Sequence, residues 1–212
     1  CTARNGTSLM NDLEGITVVA LEQAVAAPYV SSRLAEAGAR VIKIERAEGD
    51  FARHYDQLVR DQSAYFVWLN AGKESVTLNL KDSNDAALFR NVLGAADVFI
   101  QNLAPGALGR LGFEPKQLTI DFPELVICSI SGYGETGPYR TQKAYDLLIQ
   151  AETGLCSVTG VEDQLTRVGV SVSDISAGMT AYQDVLQGLF ARERDPERRG
   201  RIINVSLYHA TA

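Results

Sequence analysis

The sequence predicts an α/β protein built on a doubly wound, mostly parallel sheet. Short β-branched runs alternate with amphipathic stretches along the chain, the pattern of repeated β–α units. The helical stretches carry their own punctuation, with Pro near starts and Gly near stops. The 212 residues are 46% hydrophobic, enough for one sizeable core and hence one domain.

The elements follow in order. Ile16–Leu21 (ITVVAL) reads as a buried strand. Pro28 can open a helix that Gly38 closes, with Val30, Leu34 and Ala37 on one face. Val41–Ile44 is a second strand and Val76–Leu80 a third, the latter by alternation. Asp82–Leu93 is a helix ended by Gly94. Val98–Ile100 and Leu125–Ile130 are strands. A Gly-rich loop then leads to a helical stretch, Tyr145–Leu155. Val168–Val172 reads as a short strand, Ser176–Arg192 as a long helix, and Ile202–Val205 as the last strand. Arg192–Arg201 reads as a solvated turn. Ligands of such sheets sit beyond the carboxyl ends of the strands, which points to the loops after Leu21, Ile44, Ile100, Ile130 and Val172.

Composition narrows the partners. The net charge is −6 with both signs dispersed, so no basic stripe exists for nucleic acid. An anionic ligand needs local Arg and Lys. Cys1, Cys128 and Cys156 are odd in number and lack a CxxC pair, which argues against a disulfide framework or a zinc site. A reducing, cytoplasmic setting fits them. Cys1–Asp12 is a polar tail without an apolar signal core, and no apolar run is long enough to span a bilayer. The expectation is one domain, 13–212, free of membrane and metal.

Several residues have chemical and structural readings side by side. Gly132-Tyr-Gly134-Glu-Thr-Gly137 spells GxGxxG after a strand, but Pro138 follows where a dinucleotide fingerprint would already be helical. A flexible turn or a mobile loop over a substrate fits as well. Asp174 precedes a long helix. It can be the N-cap, or a carboxylate nucleophile whose ionised form the helix dipole favours. Arg46, Lys81, Arg110 and Lys143 are isolated cations near element ends, either solvated or placed to neutralise phosphates. His54 and His209 show no partner pattern. Cys128, in LVICSI, reads as buried and inert.

A series of segments resembles one family in order and spacing. They are LEGI at 13–16, AAP at 26–28, AEAGARVIKIE at 35–45 followed by Arg46, LNAGK at 69–73, and SVTLNLK ending at Lys81. Then come ADV at 96–98, QNLAPG at 101–106, Arg110-Leu-Gly112, CSISGYGETGP at 128–138, Tyr145-Asp146, and RVGVSVSDISAGM at 167–179. Together they resemble the family III coenzyme A transferases, which include formyl-CoA and carnitine CoA-transferases.

The resemblance implies a Rossmann-like large domain and a set of roles. Asp174 takes the place of the aspartate nucleophile, with Tyr145 and Asp146 beside it. Asp146 occupies an acidic position that supports active-site hydrogen bonds. Arg46, Leu78, Lys81, Asn102, Leu103, Arg110 and Lys143 match positions that contact coenzyme A. Leu103 stands where the family usually has Phe. Ala24 and Val25 line the same pocket, Val25 replacing a Gln of some relatives.

The implied reaction moves coenzyme A from an acyl-CoA to a small carboxylic acid through an aspartyl intermediate. Acyl-CoA is then a substrate and no cofactor is tightly bound. A 2-methylacyl-CoA racemase is the alternative on a similar fold, but it needs His before Asp146. Tyr145, with a reference pKa near 10, is a poor base there. A non-catalytic CoA-binding subunit is a further alternative. Family members are about twice as long, form interlocked rings and carry a glycine-rich loop in their second half. A homodimer or a second subunit is therefore expected to complete the site.

Overall fold

The structure, a computed structural model, describes residues 11–212. Residues 1–10 of the expected polar tail, Cys1 included, lie outside the described residues. The strands are β1 (Thr17–Leu21), β2 (Arg40–Glu45), β3 (Glu74–Thr77), β4 (Val98–Gln101) and β5 (Val126–Ser131), a small hairpin of β6 (Gly160–Val161) and β7 (Gln164–Leu165), and β8 (Ile202–Ser206). The helices are α1 (Ala26–Glu36), α2 (Ala64–Asn70), α3 (Ser83–Leu93), α4 (Ala107–Arg110), α5 (Pro115–Asp121), α6 (Asp146–Glu152), α7 (Leu155–Val158), α8 (Val172–Arg194) and α9 (Leu207–Thr211). The main sheet has six strands in the order β3-β2-β1-β4-β5-β8, every pair parallel. The fold class read from the sequence is therefore the observed one, and the strand order reverses between β1 and β4.

Alternate residues of each strand face opposite ways, which splits the core in two. Val18, Ala20, Val41, Ile100, Val126 and Cys128 pack with Val30 and Leu34 of α1, Ile149 of α6 and Ala177, Ala181 and Val185 of α8. Val19, Ile42, Ile44, Phe99 and Ile127 pack with Phe89 and Leu93 of α3, Leu108 of α4 and Leu118 of α5. Cys128 is fully buried, and burial pushes its thiol up to about 12, which makes it inert as the sequence suggested.

Two sequence expectations are corrected. The third strand runs from Glu74 to Thr77 rather than Val76–Leu80, because it is an edge strand paired only with β2 from Ile42↔Glu74 to Glu45↔Thr77. Leu78 and Leu80 then turn inward and pack on the second cluster. Val168–Val172 is not a strand. Gln150 exchanges hydrogen bonds with the Val168 backbone, accepting from its N–H at 2.8 Å, and Val172 already opens α8. Helix α8 is correspondingly longer than Ser176–Arg192, and Arg192 at its far end is buried rather than solvated. Its guanidinium donates to Asp97 at 2.9 Å and to the Glu124 carbonyl at 3.2 Å. Asp97 in turn accepts from the Thr17 N–H, which ties α8 to the amino edge of the sheet.

The carboxyl edge holds a buried charge network that the sequence does not reveal. Lys43, in the middle of β2, is 1% exposed. Its ammonium lies 2.8 Å from Asp50, 2.9 Å from the Asn70 side-chain oxygen and 3.6 Å from Glu22. Lys73 donates to Glu22 at 2.7 Å and to the Pro28 carbonyl at 3.0 Å. Burial opposes ionisation of Glu22, but the flanking Lys73 and Lys43 outweigh it and hold the carboxyl below its usual range. Every charge has an opposite partner, and the network joins β1, β2, α1, α2 and the 3-10 turn Phe51–His54.

Breaking one partner of such a network is costly because it strands a buried charge. Lys43→Met should lower unfolding free energy by about 3–5 kcal/mol in urea denaturation. A loss of less than about 1 kcal/mol, the level of a surface pair, would contradict this description.

Candidate active site

The N-terminus of α8 carries the carboxylate that the sequence singled out. Asp174 is the third residue of α8 and not its N-cap; that position is Ser171, whose side chain caps nothing. The capping oxygen comes instead from Asp146, the first residue of α6. Its Oδ1 accepts from the backbone N–H groups of Ser173 at 2.7 Å and Asp174 at 3.3 Å. Its Oδ2 accepts from the Gln150 amide at 2.6 Å. The free N–H groups that could have stabilised an Asp174 anion are thus spent on Asp146.

The electrostatic result reverses the expectation from the helix dipole. Burial first, and the neighbouring Asp146 second, push the Asp174 carboxyl up to about 7. Near neutral pH it exchanges between an ionised carboxylate and a neutral acid. Asp174 also lies one turn before Gly178 on the same face of α8. A methyl group on Gly178 would sit 2.8 Å from the Tyr29 ring and 3.0 Å from the Ala26 carbonyl oxygen, so α8 and the start of α1 meet backbone to backbone. Asp174 therefore faces the first turn of α1.

The loop before α1 is held rigidly. Ala24 has φ 66°, a left-handed conformation disfavoured for a residue with a side chain. Asp50 accepts its N–H at 3.0 Å. Asn102 grips the preceding residue at both ends, accepting from the Gln23 N–H at 3.0 Å and donating to the Gln23 carbonyl at 2.8 Å. Val25 is buried as the N-cap of α1. Asn102 thus braces the loop that the resemblance places around the pocket.

The remaining residues divide between two cavities. Arg46, Leu78, Lys81 and Leu103 line a groove of about 270 Å³ over the carboxyl ends of β1 and β2, together with Leu21, Ile44 and Leu111. Arg110 lies in a larger adjoining cavity. Lys143 is exposed on the loop between β5 and α6 and lines neither. Tyr145 is 64% exposed at the start of α6. The GxGxxG segment continues as loop to Ala144, with positive φ at Gly134 and Gly137, and begins no helix.

Two groups in the site escaped the sequence reading. Gln150 fixes both Asp146 and Val168; its only sequence signal is a polar residue one helical turn after Asp146. An edge-to-face series, Phe51–Tyr55–Tyr65–Trp68–Tyr29, has centroid spacings of 5.8, 6.2, 5.9 and 6.0 Å. It reaches the start of α8: the Tyr65 hydroxyl is 3.4 Å from Ser171 Oγ. Burial, with Asp174 next in effect, pushes Tyr55 up to about 12. Its aromatic signal was present in AYFVWLN but had no assigned partner.

The architecture defines a class: a doubly wound α/β protein with a carboxylate pair at a helix N-terminus and, over the carboxyl ends of β1 and β2, a groove that carries Arg46 and Lys81. The particular family follows from comparison. The family model for CoA-transferase family III matches residues 13–212, and the chain belongs to that family. It is 41% identical over 201 residues to an acetyl-CoA:oxalate CoA-transferase of Acetobacter aceti, covering 93% of this chain and 51% of that protein. It is 33% identical to the human succinyl-CoA:glutarate CoA-transferase, covering 85% of this chain and 42% of that one. The structure superposes on a CAIB/BAIF family protein from Brucella suis with TM-score 0.89 at 33% identity, over 93% of this chain and 53% of that chain. The chain spans about half the length of the curated relatives it matches.

The raised Asp174 carboxyl has a signed consequence. Its protonated form is favoured by folding, so the ionised form costs stability as pH rises from the ordinary range near 4 through about 7. Asp174→Asn should therefore be more stable than wild type at pH 8 by up to about 4 kcal/mol, with the gain vanishing below pH 4. Thermal melts across pH check it; equal effects at both ends would contradict the assignment.

Proposed function

We propose that this protein transfers coenzyme A between an acyl-CoA and a carboxylic acid, with Asp174 as the covalent nucleophile. The carrying observation is the Asp174–Asp146 pair: a carboxylate held near neutral ionisation by burial and a like charge, at the end of a helix anchored at both termini. The names of the relatives, all of which exchange coenzyme A between acids, support the reading.

Each step follows from carboxylate chemistry. Ionised Asp174 attacks the thioester carbonyl, forms a mixed anhydride and expels the CoA thiolate. The thiolate attacks the aspartyl carbonyl of the anhydride, releasing the donor acid as its carboxylate and leaving an aspartyl-CoA thioester. The acceptor carboxylate attacks that thioester, giving a second anhydride and CoA thiolate. The thiolate then attacks the acceptor's carbonyl, and Asp174 departs as a carboxylate. No net proton is consumed, and one hard exchange becomes several easier ones.

The fold suggests how the substrate lies. The groove with Arg46 and Lys81 opens on the α3 face of the sheet, whereas Asp174 stands on the α1 face. A long thioester with its nucleotide end in the groove crosses the carboxyl edge at the braced loop Gln23–Val25. Coenzyme A is a substrate here, not a resident cofactor. A partner copy or second polypeptide completes the site, and the protein works in the cytoplasm. Among the described residues no helix is long and apolar enough to cross a membrane.

Two substitutions separate binding from chemistry. Asp174→Asn should abolish transfer and leave CoA affinity within about twofold, since the groove is untouched. Arg46→Ala should weaken CoA binding roughly tenfold, more at low salt, because a charge-assisted phosphate contact is lost. Calorimetry and a coupled transfer assay read both effects. Near-normal transfer by Asp174→Asn would sink the nucleophile.

A further inference from the structure

Gln150 lies one helical turn after Asp146 in α6, fully buried, between Asp146 and the backbone of Val168. Its oxygen accepts from the Val168 N–H at 2.8 Å, and its nitrogen donates to the Val168 carbonyl at 3.3 Å. An amide has a donor end and an acceptor end of nearly the same shape. Turning it end for end here would set donor against donor at the Val168 N–H and acceptor against acceptor at the carbonyl. A buried group that misses its bond bears its full desolvation cost. The Val168 backbone therefore decides which way the Gln150 amide faces.

That direction passes to Asp146. The Gln150 nitrogen donates to Asp146 Oδ2 at 2.6 Å. The other oxygen, Oδ1, accepts from the N–H groups of Ser173 and Asp174. Amide N–H groups only donate, so both Asp146 oxygens face donors, and a proton on either would point at one. The surroundings of Asp174 differ. The other titratable groups about it are tyrosines: Tyr55 after the 3-10 turn, Tyr145 ahead of α6, and Tyr65 of α2 beside Ser171. Asp50, behind Tyr55, is held by Lys43. From α1 come Tyr29 and a first turn without acidic residues. Tyrosine hydroxyls accept as well as donate, so a proton on Asp174 meets no obligatory donor.

We propose that Gln150 is a positioning residue: it fixes the direction of hydrogen bonding so that the negative charge of the carboxylate pair sits on Asp146 and the proton on Asp174. The like charge then opposes a free Asp174 carboxylate but not its uncharged acyl form. The rise of the Asp174 carboxyl to about 7, through burial first and Asp146 second, agrees with that placement. The catalytic consequence rests on Asp174 being the nucleophile; the hydrogen-bond direction does not.

The test exchanges the two side chains. In thermal melts at about pH 5.5, with Asp174 protonated, Asp146→Asn should lower the melting temperature by roughly 4–10 °C, because whichever way the new amide turns a nitrogen meets a nitrogen. Gln150→Glu should lower it as well, since two carboxyl groups then face each other. In the Gln150→Glu background, Asp146→Asn should instead raise it, because the new amide donates to the new carboxylate. A lowering in both backgrounds overturns the proposal. Carbon-13 NMR of the aspartate carboxyls needs no destabilised variant: the step near pH 7 should fall on the Asp174 carbon, and a step there on the Asp146 carbon overturns the proposal too. Neither measurement involves turnover, so a missing aspartyl adduct would remove the nucleophile and leave these results standing.

Discussion

The site rests on four charges taken out of water at the carboxyl edge of the sheet. Lys43 and Lys73 interleave with Glu22 and Asp50, and each ion is tolerable only because the others are present. From Asp50 the constraint passes to the backbone. One Asp50 oxygen holds Lys43, and the other holds the N–H groups of Ala24 and Ala52. That bond keeps Ala24 left-handed and sets how the chain enters α1. Lys73 reaches the Pro28 carbonyl in the same helix. The first turn of α1 is thereby fixed on one side, and α8 packs on it through Gly178 on the other.

Asp174 inherits its properties from that frame. Helix α8 is pinned to the amino edge of the sheet through Arg192 and Asp97, and to α6 through Asp146. Local N-capping by Asp174 would have tied that carboxylate to its own backbone. Delegating the cap to Asp146 leaves the Asp174 carboxylate off its own backbone and sets a like charge beside it. Burial raises the cost of its ionised form further. In the proposed reaction, a carboxylate that is costly to ionise is the stronger nucleophile once it does ionise.

Much of the fold was legible because parallel strands buried on both faces are written as apolar runs. TVVAL, RVIKIE, VFIQ, VICSIS and IINVS all fall on strands. The misreadings have local causes. Alternation in RVGVSV imitated a strand, yet Val170 is 54% exposed and the segment is held by Gln150 rather than by a neighbouring strand. The edge strand β3, exposed throughout, gave no burial signal to mark its bounds. The candidate residues split likewise. Arg46, Leu78, Lys81 and Leu103 converge on one groove, while Lys143 stands apart from it. Asn102 braces a loop, a role that a motif cannot distinguish from ligand contact. The resemblance alone set Asp146 beside Asp174; the Lys43–Asp50 contact was invisible, since charged residues in sequence read as solvated until the topology brings their partners in from elsewhere.

The most direct measurement of the central claim is an intact-mass spectrum of the protein, with its partner chain if one is required, after incubation with an acyl-CoA and rapid quenching. Covalent catalysis through Asp174 predicts an adduct equal to CoA less one water, mapped by peptide fragmentation to the segment around Asp174 and converted to a hydroxamate by hydroxylamine. An adduct mapped to another residue, or turnover with no aspartyl adduct at any quench time, would contradict it.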